Sequence, residues 1–115
     1  MTESDAVLTL AGFQAWIHER YFATDNARGT PATFMWFIEE IGELSTALAN
    51  NGAGKSPTPE ERANLDEEFA DVLAWLATIA NVAGVDLDQA LRLKYGAGCP
   101  GCGQFQCICS PAEKP

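Results

Sequence analysis

Apolar side chains recur at helical spacing through two long stretches, and each stretch is bracketed by residues that start and stop helices. Phe34, Phe37, Ile38, Ile41, Leu44 and Leu48 form one stripe when each residue turns by about 100°. Leu65, Phe69, Val72, Leu73, Leu76, Ile79 and Ala80 form a second. Thr30-Pro31 precedes the first stretch as an N-cap with proline at the first helical position, and Asn50-Asn51-Gly52 stops it. Residues 52–57 form a short loop. Thr58-Pro59-Glu60-Glu61 then opens the second stretch as a capping box, and Gly84 ends it after Ala83. Upstream, Leu8 and Phe13 flank Thr9 as a hydrophobic staple around an N-cap. The helix so opened continues through Trp16, Ile17 and Tyr21 until Asp25-Asn-Ala-Arg-Gly29 breaks it. Downstream, Asp86 with Gln89 caps a last helix through Lys94, ended by Gly96-Ala-Gly98. No alternating strand pattern of useful length and no internal repeat competes with this reading. The pattern predicts an all-α, four-helix bundle over residues 1–95, with a cysteine-rich tail over 96–115 too short to bury a core of its own.

Charge narrows the partners. At 115 residues there is room for one core, and 47% hydrophobic content fills it. A net charge of −9 argues against a nucleic acid polymer and against anionic membrane surfaces, both of which are held by lysine and arginine. No apolar run approaches the roughly 20 residues that span a bilayer. The acidic start, Met1-Thr-Glu-Ser-Asp5, differs from the basic head of a secretory signal, and a cytoplasmic location is expected.

The chemistry-bearing residues lie on the two central helices. Glu40 and Glu43 are three apart on the first, and Glu68 and Asp71 are three apart on the second, so each pair shares a helical face. Each pair flanks its apolar stripe, and a tryptophan stands in line with it: Trp36 one turn before Glu40, Trp75 one turn after Asp71. A single Glu-x-x-Glu pair is an ordinary solvated face. Four carboxylates crowded beside large aromatics repel one another unless a cation sits among them. Oxygen-only ligands select a hard ion, magnesium or manganese, over zinc. A carboxylate-bridged di-iron centre is excluded, because it wants Glu-x-x-His on two helices and the only histidine, His18, does not follow a glutamate at that spacing.

The run Glu39-Glu-Ile-Gly-Glu-Leu44, a gap, then Glu67-Glu-Phe-Ala-Asp-Val-Leu73 resembles the signature of the MazG-like, all-α nucleoside triphosphate pyrophosphohydrolases: ExxE, a spacer, ExxD. It falls on Glu40, Glu43, Glu68 and Asp71, with 24 residues between the pairs, and the likeness extends from about Leu10 to Tyr95. The resemblance implies a MazG-like helical bundle whose four acids hold magnesium. It also implies cleavage of nucleoside triphosphates between the α and β phosphates and assembly as a homodimer or homotetramer. Lys94 matches a basic position after the last core helix and is the candidate phosphate contact, its other reading being a lysine favoured by a helix C-terminus. Trp36 and Trp75 are candidates to stack on the base, or else they pack between helices. The resemblance implies removal of surplus or non-standard nucleotides. A phosphoribosyl-ATP pyrophosphohydrolase is a related reading within the enzyme class, and a non-catalytic helical interaction module is the reading outside it.

All four cysteines, Cys99, Cys102, Cys107 and Cys109, lie in the tail. Cys99-Pro-Gly-Cys102 has the spacing of two zinc ligands, and Cys107-Ile-Cys109 is placed to supply the other two. Disulfides or a redox Cys-x-x-Cys remain the alternatives.

Overall fold

A computed structural model describes residues 8–110. Within it α1 runs Leu10–Arg28, α2 Thr30–Asn50, α3 Pro59–Ala83 and α4 Leu87–Tyr95, and the described residues contain no strand. The expected caps set most of these bounds. The Thr9 hydroxyl accepts from the Gly12 amide, the Thr58 capping box closes in both directions with Glu61, and Asp86 accepts from Gln89. Gly84 ends α3 at φ 74°, a left-handed conformation that glycine adopts without a Cβ penalty. The Leu8 half of the staple fails, since Leu8 is 83% exposed, and the Thr9 cap stands without it.

The α1–α2 boundary differs from expectation. Asp25 to Arg28 remain helical, because Asp25 pairs with Arg28 one turn later at 3.1 Å and so supports the last turn. Gly29 alone makes the break, at φ 84° and ψ 167°. It also takes the N-cap position expected of Thr30, and its carbonyl receives both the amide and the hydroxyl of Thr33.

The longest helix, α3, is the centre of the bundle. It packs on α2 along one side and α1 along another, and α4 turns back onto α1 after a bend of 94°. Gln14 fixes that bend. Buried on α1, its side chain donates to Asn81 Oδ1 at 3.0 Å and to the Val85 carbonyl at 2.6 Å, and accepts from the Leu87 amide at 2.9 Å. The fully buried apolar residues are mostly small: Ala47, Ala77 and Ala80, with Ile17 and Leu65. Small side chains let the helix axes approach closely. The consequence overturns one expectation: much of the large apolar stripe of α2 and α3 is not a core in the single chain. Phe34, Ile38, Ile41 and Leu48 on α2, with Phe69, Leu73 and Leu76 on α3, are all at least 38% exposed. Among the described residues no single helix is long and apolar enough to cross a membrane.

Replacing Gln14 by leucine strands the Leu87 amide and the Val85 carbonyl at the α3–α4 bend. The expected loss is about 2 kcal/mol of unfolding free energy by chemical denaturation, with α4 exchanging its amides fastest. An unchanged midpoint would show that the bend holds without this side chain.

Candidate metal centre

The packing of α2 on α3 brings their acidic flanks together. Carboxylate oxygens of Glu40, Glu68 and Asp71 lie within 4.8 Å of one another. Glu40 Oε2 and Glu68 Oε2 are sealed from solvent and have no hydrogen-bond partner. Glu68 Oε1 receives the Asn64 amide at 3.3 Å from one turn earlier. The ion pairs of the described residues, Arg28–Asp25 and Arg92–Asp88, involve none of these acids. Buried carboxylate oxygens without donors are unfavourable, and three acids at this separation repel.

The electrostatics show the same frustration. Burial raises the Glu40 carboxyl above its ordinary 4.5, and the charges of Glu43, Asp71 and Glu68 raise it further. Glu68 is raised by burial first and then by Glu43, with the Asn64 donor opposing and Asp71 adding to the rise. Glu43 is exposed and stands outside the three whose oxygens converge most closely, yet its charge acts on both buried neighbours. All four expected acids therefore form one electrostatic unit, three at its centre and one at its rim. A hard divalent ion with oxygens at about 2.1 Å keeps its ligands within about 4.2 Å of each other, so closing on a cation needs only a small contraction. The donor set and the partnerless oxygens fit magnesium or manganese.

Trp36 and Trp75 stack on each other across the α2–α3 seam, centroids 6.2 Å apart and planes 14° apart. Sequence reasoning left out what lies beyond Trp75. The Arg28 guanidinium sits 5.3 Å from the Trp75 ring centre, and both residues line a cleft of about 250 Å³ between α1 and α3 with Tyr21, Asp25 and Thr78. Asp25 is 5% exposed; one oxygen pairs with Arg28 and the other, Oδ2, has no partner. The one signal for Arg28 and Asp25 was their three-residue spacing, hidden because the segment was read as a break. Asn64 was legible as the residue four before Glu68. Lys94 is exposed near the end of α4, its ammonium 5.4 Å from the Tyr95 ring, on a helix whose packing partner is α1.

In the tail the four cysteine sulfurs also converge within 4.8 Å of one another. Backbone amides of Ile108 and Gln104 pull the Cys102 thiol down to about 6, while contacts with the Cys107 and Cys99 sulfurs push Cys109 up to about 12.

The described residues thus form a helical bundle that brings acids from two adjacent helices to one point. The chain belongs to the MazG family: residues 29–95, more than half its length, match the model of the MazG nucleotide pyrophosphohydrolase domain. The match takes in α2, α3 and α4 with both acidic pairs, Trp36, Trp75 and Lys94. It leaves out the tail, as expected, and also α1, which the likeness was read to include, although α1 packs on α3 as part of the same bundle. Among curated proteins none matches the chain.

A folded-state pKa above the unfolded value contributes stability that is full below about 4.5 and is lost as pH rises through the folded value. In metal-free protein Glu40→Gln should therefore melt a few degrees above the parent at pH 7, and the advantage should vanish below pH 4.5. Thermal melts at both pH values check this; a parent that melts higher at pH 7 would mean that Glu40 is already compensated.

Proposed function

We propose that this protein hydrolyses nucleoside or deoxynucleoside triphosphates between the α and β phosphates. The products are the monophosphate and pyrophosphate. The observation that carries the reading is the pair of sealed, partnerless oxygens on Glu40 and Glu68, contributed by different helices and converging with Asp71. Glu40, Glu68 and Asp71 hold magnesium or manganese, with Glu43 at the rim. When bound, the cation supplies positive charge against the triphosphate and lowers the pKa of the attacking water. Attack on the α phosphorus breaks its bond to the bridging oxygen, and pyrophosphate leaves with the electron pair. Asn64 orients Glu68, which keeps the oxygen set fixed while charge moves. The cleft beside Trp75, one turn beyond Asp71, receives the nucleoside end. Tyr21, Arg28 and Trp75 line its wall, and Asp25 Oδ2 is its unpaired acceptor. Lys94 is the candidate phosphate contact. The physiological reading is removal of surplus or non-standard nucleotides in the cytoplasm.

The working unit in this proposal is a homodimer or homotetramer. An obligate homodimer covers about 1,000 Å² or more on each partner. The Phe34, Ile38 and Ile41 side of α2, continued by Phe69, Leu73 and Leu76 on α3, is the apolar surface that such an interface needs.

A panel of nucleoside triphosphates with magnesium, including phosphoribosyl-ATP, tests the reaction. Monophosphate and pyrophosphate are expected; diphosphate and phosphate would contradict the bond assignment. Absence of any metal-dependent turnover would favour the interaction-module reading. Glu68→Gln should lose about a hundredfold or more in kcat with helicity intact. For assembly, sedimentation velocity should show a dimer or larger particle that Ile38→Glu dissociates. A parent that sediments as a monomer would contradict the proposed interface.

A further inference from the structure

We propose that the tail is a second, independent metal site: Cys99, Cys102, Cys107 and Cys109 hold one zinc ion as a closed tetrahedral tetrathiolate. Four thiolates at about 2.3 Å from zinc stand about 3.8 Å from one another along the edges of the tetrahedron. Cys99 and Cys109 sulfurs are 3.8 Å apart and those of Cys99 and Cys107 3.4 Å. All four thiols are free. Disulfides would join the sulfurs two by two at about 2.05 Å, with no reason for the two pairs to meet. Here they form one cluster.

The backbone is wound around that cluster. Gly103 donates to the Cys99 carbonyl at 2.7 Å and Cys99 donates to the Gln104 carbonyl at 2.9 Å, so the first pair sits on a closed turn, with Gly103 at φ 73°. Backbone amides point at sulfur: Gly101 to Cys99 at 3.3 Å, Cys109 to Cys107 at 3.4 Å, and Gln104 and Ile108 to Cys102. Such N–H···S bonds offset the charge that a tetrathiolate zinc centre carries. A Cβ at Gly101 would lie 3.0 Å from the Cys109 sulfur and 3.6 Å from that of Cys99; the sulfurs fill the space a side chain would need.

No apolar core holds this loop together. Its two large apolar residues, Phe105 and Ile108, are 83% and 78% exposed. A segment this short without a core is ordered by cross-links or by metal, and the sulfurs converge in the pattern of the second. The two sites sort two metals by ligand chemistry: hard oxygens at the α2–α3 seam for magnesium, soft sulfurs in the tail for zinc. Because four thiolates leave no open position, the tail zinc is structural and takes no part in hydrolysis.

Elemental analysis of the full-length protein purified without added metal should find one zinc per chain, retained against excess magnesium. Exchange with cobalt should give the intense visible bands of a tetrahedral cobalt thiolate. The double variant Cys107→Ser, Cys109→Ser should lose the zinc. Far-ultraviolet circular dichroism should show its helices retained, which separates loss of the site from failure to fold. In the unaltered protein, proton release on zinc binding to the metal-free form gives a second readout that needs no variant. Protein isolated with two disulfides, with iron in place of zinc, or with zinc retained in the double variant would each overturn the proposal.

Discussion

Burying carboxylate oxygens with no donor to meet them is the constraint on which the rest of this structure turns. Packing α2 against α3 seals one oxygen each from Glu40 and Glu68, and it does so beside Asp71 and within reach of the Glu43 charge. Small side chains, Ala47 on α2 and Ala77 on α3, are among the most buried residues of this helix pair. Burial without donors and mutual repulsion both cost stability at the acidic cluster. An arrangement that is unfavourable when empty of positive charge is preorganised for a ligand that brings it.

The central position of α3 links the parts. One side gives Glu68 and Asp71 to the cluster, the next turn gives Trp75 to the stack with Trp36, and another face packs on α1, where Arg28 covers the same indole. Acids, aromatic pair and cleft thus lie along about three turns of α3. A triphosphate with its nucleoside has that kind of polarity, charged at one end and flat and partly apolar at the other. The tail repeats the pattern with softer donors: four thiols converge within 4.8 Å of one another.

Much of this was legible in the residue order, and the reasons are specific. Glu40 with Glu43 and Glu68 with Asp71 were found because three-residue spacing fixes a shared face whatever the tertiary contacts. Caps at Thr9, Thr58, Asp86 and Gly84 were found because their hydrogen bonds are local. Depth was not legible. A wheel places Glu43 beside Glu40 but does not show that Glu40 is half-buried while Glu43 stays exposed; that depends on how close α3 comes. The apolar stripe of Phe34, Ile38 and Ile41 misled for a related reason: periodicity marks a face to be covered without saying whether the same chain or another copy covers it. The Asp25–Gly29 break was misplaced because Asp, Asn and Gly each suggest a turn, and the Asp25–Arg28 pair outweighs all but the glycine.

The most direct test of the account is to locate the cation itself. Crystals grown with manganese and a non-hydrolysable triphosphate analogue, measured at the manganese absorption edge, would show its position by anomalous scattering. A peak within coordination distance of Glu40, Glu68 and Asp71 is expected. A peak elsewhere, or those three side chains turned into solvent with the analogue bound at another face, would contradict it.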